Sequence, residues 1–439
     1  MTMNLTQSIK QTWYDARQRP AFTALYVCGV ALAVAFTMIF AMIYYVKLAP
    51  VYPERNRPRT LYINSVQCKM NAGRSQFSSP VGYPFFRDYI SKLENAETIS
   101  GCPGIYGART MVRPDNGQPE FEINDKGVDP AFFKIYDFKF LHGKPFTEAD
   151  LSSASQVCII GHHLAERLFG SPESAMGRDI HLNDLDFRVA GVVREGSRLT
   201  PASFAQLYRP YTTVDGYDRI MRDDMPWVGV INATLTVKDD AQAEALRSEI
   251  DDMLRRINAA DTSKVISMKN YPMSHTQSAF MTFGDTTDWR LAIIKKYSLI
   301  LLVLLIVPAI NLGGMIAGRM EERLSEMGIR KSYGASRRRL LGQVLAENLY
   351  MTLAGGLLGL LAAWTTIYVG REWIFGVFDP YHIISTAEVS SQVSGEMVFA
   401  PLVFAIALTI CMVLNLLSAL IPAWWSLRRP IVSSINEKR

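Results

Sequence analysis

The 439-residue sequence predicts an α-helical membrane protein with four transmembrane helices and a large α+β extracytoplasmic domain between helices 1 and 2. Three observations predict it. Four apolar runs reach the roughly 20 residues needed to cross a bilayer. A long stretch of mixed strand and helix pattern, large enough for one or two lobes, separates the first run from the second. Lys and Arg gather beside the runs and stay out of their centres. The overall 20% charged and 49% hydrophobic content averages over these two regimes. The formal charge of +5 comes without a basic patch interleaved with aromatics, so it points to membrane-flanking residues and not to nucleic acid.

Residues 1–20 read as a cytoplasmic interfacial helix, with Leu5, Ile9 and Trp13 at i+4 spacing. Residues 21–47 form the first span. It carries no charge from Ala21 to Val46 and follows Lys10, Arg17 and Arg19, which places the N-terminus in the cytoplasm. The run is too long for a signal-peptide core of about 7 to 15 residues, so it is expected to remain as an anchor.

The extracytoplasmic domain with its stalk occupies 48–294. Leu61 to Val66 predicts a strand, Tyr83 to Leu93 a helix, Val157 to Ile160 a buried strand and His162 to Phe169 a helix. Ile180 to Leu182 and Phe187 to Val193 predict a hairpin turned at Asn183 to Asp186, where Asp184 and Asp186 serve as turn formers. Ala233 to Val237 predicts a strand. Leu246, Ile250, Met253 and Ile257 mark one face of a long helix, and Lys264 to Met268 returns as a strand to complete a βαβ arrangement. Cys28 and Cys411 fall in spans. Cys68, Cys102 and Cys158 fall outside, where an odd number allows at most one internal disulfide and three pairings stay open.

The second span is 295–318, bent at Pro308, with Lys295 and Lys296 in a helical extension beyond the membrane. A cytoplasmic segment 319–343, a third span 344–369, an extracytoplasmic loop 370–396, a fourth span 397–425 and a cytoplasmic tail 426–439 follow. Trp424 and Trp425 suit an interfacial belt, and Arg428, Arg429, Lys438 and Arg439 suit an inner face. Gly355, Gly356 and Gly359 allow close helix approach. The central portions of the spans hold no Asp, Lys, Arg or His, which argues against an ion-coupled pump or secondary transporter. Glu347, near the cytoplasmic end of the third span, reads as a polar anchor paired with Lys or Arg.

The densest charge lies from Arg319 to Glu347. Glu322, Glu326 and Arg330 recur at i and i+4. Gly334 stops one helix and Ser336 starts the next, whose first turn holds Arg337, Arg338 and Arg339. Cations there oppose the helix dipole, so anionic lipid or an acidic partner is expected to face them. A topogenic loop would account for the charge but not for the order Glu326, Gly328, Ile329, Arg330, Lys331, Gly334, Ala335, Ser336 and Glu347. That string resembles the coupling segment of MacB/FtsX-type ABC transporter permeases, departing from it at Ser332 and Tyr333.

The outer region is similar to the MacB-type periplasmic core domain at Val128 to Phe133, Leu141 to Phe146, Ala165 to Gly170, Gly177-Arg178 and Phe187 to Val193. Ile421 to Trp424 resembles the family's closing motif. Asn71 to Gln118 matches least and is expected to form a variable lobe.

The resemblance implies a bacterial inner-membrane permease subunit with both termini cytoplasmic. It would transmit ATP-driven motion to its periplasmic domain for export of a peptide, toxic small molecule or lipoprotein. The implied ATPase-coupling residues are Glu322, Glu326, Gly328, Ile329, Arg330, Lys331, Gly334, Ala335, Ser336, Arg337 and Glu347. The implied partners are an ABC ATPase subunit, a second permease copy or paralogue, a periplasmic adaptor with an outer-membrane conduit, and membrane lipids. The alternatives are an FtsX-like regulator of a cell-wall hydrolase and a non-transporting receptor or sensor. No G-x-x-x-x-G-K-[ST] occurs, so ATP hydrolysis is expected in a separate subunit and the chain itself is not expected to be an enzyme. No cofactor or metal is expected. His162, His163 and Glu166 lack H-E-x-x-H spacing, and adjacent histidines on a helix are expected to point apart.

Overall fold

The computed structural model describes residues 20–70, 75–104, 110–114, 119–217, 226–268, 270–281, 329–376 and 400–428, with a few single residues beside them. The chain divides into two units. One is Met1–Tyr45, Ile294–Arg371 and Val398–Arg439; the other is Val46–Ile293 with Glu372–Met397.

In chain order the elements begin with α1 (Pro20–Leu48), β1 (Thr60–Ile63), β2 (Val66–Met70), β3 (Ser75–Ser79), α2 (Tyr83–Asp88) and β4 (Thr98–Pro103). Next come β5 (Thr110–Arg113), β6 (Phe121–Ile123), β7 (Asp125–Val128), α3 (Phe132–Ile135), β8 (Phe140–Gly143) and α4 (Glu148–Ser152). Then follow β9 (Val157–Gly161), α5 (His162–Phe169), β10 (Asp179–Leu182), β11 (Leu185–Val193), β12 (Leu207–Pro210) and β13 (Ile231–Thr236). The last are α6 (Asp240–Ala260), β14 (Lys264–Ser267), β15 (Met273–Ser274), α7 (His275–Phe280), α8 (Arg337–Gly376) and α9 (Pro401–Arg428).

Three helices among the described residues are long and apolar enough to cross a membrane: Pro20–Leu48, Arg337–Arg371 and Pro401–Trp425. The expected span 295–318 with Pro308, and the interfacial positions Leu5, Ile9 and Trp13, lie outside the described residues. The glycines of α8 meet its neighbours at backbone distance. A Cβ on Gly359 would stand 2.4 Å from the Ala31 carbonyl oxygen, one on Gly355 2.8 Å from Val30 Cβ, and one on Gly356 2.6 Å from Leu408 Cδ1. Small residues let helices gain contact where lipid offers no hydrophobic drive. The same three helices share a buried polar cluster that a search for charges overlooks. Asn415 Nδ2 donates to Thr352 Oγ1 and, at 3.3 Å, to the Tyr26 hydroxyl.

The Val46–Ile293 unit has two sheet systems with separate cores. In the first, an antiparallel sheet of order β15-β1-β13-β4 and a smaller one of order β14-β2-β3 share a core with α6. That helix starts on the Asp239 cap and buries Leu246, Ile250, Met253 and Ile257, the face its periodicity predicts. Three expectations need correction. Leu61 to Val66 is two strands, because β1 ends at Ile63 and β2 opens at Val66 in the other sheet. Nor do β13, α6 and β14 make a βαβ unit within one sheet, since β14 returns antiparallel to β2. The helix expected over Tyr83 to Leu93 stops at Asp88, and a short 3₁₀ turn, Ile90–Lys92, follows. Phe85, Phe86, Ile90 and Leu93 are all buried, a spread wider than one α-helical stripe covers.

The second system is an eight-stranded sheet of order β6-β5-β10-β11-β9-β12-β7, with β8 beside β11. It is mixed: β9 runs parallel to β11 and β7 parallel to β12. The β10–β11 register pairs Leu182 with Leu185, so the turn is only Asn183-Asp184. Asn183, at φ 50°, takes the left-handed conformation that its short polar side chain tolerates. The carboxylate of Asp129, just after β7, accepts from Ser100 Oγ at 2.7 Å, Gly101 N at 2.8 Å and Phe132 N at 2.9 Å, tying β4 of the first system to the second. All five cysteines are free. Burial pushes the Cys102 thiol up to about 12.

Candidate transmission site

A helix ends with carbonyl groups that lack intrahelical partners. At the C-terminal end of α1 these are met by side chains from elsewhere in the Val46–Ile293 unit. Arg57 Nη1 donates to Val46 O at 2.8 Å and to Ala49 O at 2.7 Å. The positive charge also suits the negative end of the helix dipole. His275 Nε2 lies 3.0 Å from Lys47 O, while its Nδ1 lies 3.3 Å from the Tyr62 hydroxyl, the pattern of a neutral ring donating through Nε2. Burial and the nearby Arg57 cation hold the His275 pKa down, in agreement with that tautomer.

Arg57 is itself held from the other side. Its Nε donates to Glu54 Oε2 at 2.8 Å, and the two side chains are 2% and 1% exposed. Glu54 Oε1 accepts from Ser203 N at 3.0 Å and from Ser203 Oγ at 2.9 Å. Burial by itself would raise the Glu54 carboxyl, but Arg57, His275 and Ser203 outweigh it and hold it below its ordinary value. Ser203 belongs to the segment joining β11 to β12, and Tyr208 fixes it by donating to Ser203 O at 2.9 Å and accepting from Ala205 N at 3.1 Å. Tyr52 and Asn56 add bonds to Arg194 O and Ile135 O. A run of about ten residues after α1 is thereby bolted to the large sheet. Sequence reasoning missed this root. Its one local signal is an acid and a base at i and i+3 just past an apolar helix, where a cation suits the helix end.

At the other candidate site, the described part of the charged segment begins at Ile329. Gly334, at φ +88°, ends a helical turn, with Gly334 N donating to Lys331 O at 2.9 Å and Ala335 N to Arg330 O at 3.0 Å. A left-handed glycine closing a helix satisfies its last carbonyls in this way. Ser336 accepts from Arg339 N at 3.4 Å as α8 begins at Arg337. Arg337, Arg338 and Arg339 are exposed, while Leu340 and Val344 are buried. Arg330 Nη1 donates to Gln343 Oε1 at 2.9 Å, and Gln343 Nε2 donates to Glu347 Oε1 at 3.1 Å. Gln343, absent from the expected set, therefore bridges Arg330 to the buried Glu347. Tyr333 stands 88% exposed at the tip beside Ile329 at 50%. Lys331 and Ala335 are partly buried in the same turn. Glu322, Glu326 and Gly328 lie outside the described residues.

The histidine pair differs from expectation. The His162 and His163 rings lie 3.9 Å apart, centroid to centroid, and both face Glu195. Glu166, on the exposed side of α5, is replaced in this group by a residue 32 positions from His163, at the exit of β11. Adjacent side chains diverge on a regular helix, but His162 and His163 are the first two residues of α5, where the entering chain turns out of β9.

Long apolar helices, an α+β domain inserted after the first of them, and a capped turn leading into another define the class: a multi-span membrane protein of permease type. Residues 23–253 match the MacB-like periplasmic core domain and residues 298–431 the FtsX-like permease C-terminal region. The chain belongs to the MacB/FtsX-type ABC transporter permeases. It is 26% identical over 275 residues to the pyoverdine export ATP-binding/permease protein PvdT of Pseudomonas fluorescens, a match covering 62% of this chain and 39% of that protein. It is 26% identical over 255 residues to the macrolide export ATP-binding/permease protein MacB of Agrobacterium fabrum, covering 58% and 36%. With the ABC transporter permease YknZ of Bacillus subtilis it shares 23% identity over 269 residues, covering 60% and 63%. The matched part thus spans well under half of the first two relatives. The crystal structure of the periplasmic region of MacB from Actinobacillus actinomycetemcomitans aligns with 52% of this chain and 97% of that one, at TM-score 0.36 and 20% identity.

Proposed function

We propose that this chain is the force-transmitting permease subunit of an exporter. Four membrane helices would carry both termini in the cytoplasm, and the turn around Gly334 would dock on a separate ATP-hydrolysing subunit. Two permease copies, or one with a paralogue, would work on two ATPases. ATP-driven closure of those subunits would move the helices and through them the outer domain. The cargo class is a peptide, a toxic small molecule or a lipoprotein, passed to a periplasmic adaptor and an outer-membrane conduit.

The Arg57–Glu54 root carries this reading. A helix that only anchored a domain could end in a loose linker, whereas here its last carbonyls, a buried ion pair and the β11–β12 segment form one bonded chain. The lack of Asp, Lys, Arg and His in the central portions of the spans fits mechanical transmission better than conduction through them.

The test is to purify the full chain with its ATP-hydrolysing partner and reverse Arg330 and Lys331 to Glu. Tyr333→Ala serves as a companion variant, because its exposed side chain can be cut back without touching the Arg330–Gln343–Glu347 relay. Both variants are expected to lower partner binding and ATP turnover. Normal binding, turnover and export in both would overturn the docking assignment.

A further inference from the structure

We infer that His162, His163 and Glu195 form a binding site for a divalent first-row transition ion, zinc or copper in preference to magnesium or calcium. One ligand atom from each of the three lies within 4.8 Å of the other two. His163 Nδ1 is 3.1 Å from Glu195 Oε2, and His162 Nδ1 accepts from the Glu195 backbone N–H at 3.1 Å, a bond that ligation by this ring replaces. Ligands on a tetrahedral ion with bonds of about 2.1 Å stand roughly 3.4 Å apart, so capture needs the three groups to draw together and the His162 ring to exchange its backbone hydrogen bond for the ion. Two imidazoles and one carboxylate suit zinc or copper, whereas magnesium and calcium favour all-oxygen shells. Three protein ligands also leave a coordination position open to water or another ligand.

A second observation points the same way. The Glu195 side chain is fully buried, and its Oε1 has no hydrogen-bond partner among the described residues. Among the described residues the other carboxylate oxygen meets a histidine that is itself 53% exposed. A buried carboxylate left half satisfied is costly unless a cation completes it. Space is kept for that carboxylate by Gly161, where a Cβ would come within 2.8 Å of Glu195 Oε2. The competing account, a plain histidine–carboxylate pair, explains one oxygen and one ring. It leaves Oε1 unexplained. The site joins the start of α5 to the first residues of the segment that delivers Ser203 to the root, but the inference stands without the transport reading.

The experiment uses the full chain in detergent, with any polyhistidine tag removed. Zinc and copper are titrated by calorimetry and metal content is measured after dialysis. Cobalt absorption reports the coordination geometry. The wild type is expected to hold one ion per chain, raising its unfolding temperature. His163→Ala and Glu195→Gln are each expected to weaken binding by about tenfold or more, since even residues that only orient a metal ligand are worth 10- to 100-fold. Circular dichroism checks that both variants keep the fold. Wild-type protein without a stoichiometric ion, or folded variants binding as tightly as wild type, would overturn the site.

Discussion

Arg57→Met, made alone and then together with Glu54→Gln, tests the root directly. Both side chains are almost fully buried, so solvent does not screen the pair. Removing the cation leaves Glu54 without its ion-pair partner, held by Ser203, and strips the Val46 and Ala49 carbonyls of a donor. Breaking one partner of a buried pair costs about 3–5 kcal/mol. For a domain of this size that lowers the unfolding temperature by roughly 6–20 °C. Glu54→Gln alone is expected to cost less than Arg57→Met, because the helix carbonyls keep their donor. The double variant is expected to be milder than the sum of the singles by on the order of 2 kcal/mol, since a buried pair replaced on both sides loses its desolvation penalty as well as its attraction. Thermal unfolding of the full chain in detergent supplies the four values. An Arg57→Met protein melting within about 2 °C of wild type, or strictly additive costs, would refute the claim that these groups act as one clamp.

Further outcomes follow from the same geometry. Burial outweighs three hydrogen bonds and pushes Asp129 up to about 6, so the folded state binds a proton more tightly than the unfolded one. Its contribution is greatest below the unfolded value, near 4, and is lost as pH rises to about 6, by at most about 3 kcal/mol. Asp129→Asn should flatten that limb in denaturant midpoints taken from pH 4 to 7; parallel wild-type and variant curves would contradict the shift. Glu54 has the opposite sign: its depressed pKa gives stability above the ordinary carboxylate range, lost only as pH falls below that range. Arg57→Met should therefore lose part of the acid-unfolding limb, and an unchanged limb would count against the pair. Gly359→Leu should destabilise the helices by about 1–3 kcal/mol or more, because it drives a side chain into the Ala31 backbone, while Leu358→Ala on an exposed face should not. Asn415→Ala should cost about 0.6 and no more than about 1.7 kcal/mol, the range for polar contacts between membrane helices. Helical circular dichroism on heating ranks the last three, and an Asn415 effect larger than that of Gly359 would reverse the packing argument.

Much of the architecture was written along the chain. Apolar length forms α1, α8 and α9, a 3.6-residue period forms the buried face of α6, and the apolar run before His162 forms β9. Each is legible because the residues that decide it lie within a few turns of one another. The turn at Gly334 was legible for the same reason, since a helix stop and a cap need only neighbouring residues. Strand partnership was not: β13 and β14 flank one helix yet enter different sheets, and nothing local distinguishes that path from a βαβ crossover.

Local reasoning also fails at the sites. Glu54 reads as one more charge after a span until Ser203, 149 residues on, closes over it. His163 reads as a solvated helix start until Glu195 arrives from β11. The sequence alone determined which segments could be apolar helices, which carry α+β pattern and which family they belong to. Only the tertiary structure decided which distant carbonyls, carboxylates and rings would meet, because such groups are paired by burial across the fold and leave no period in the chain.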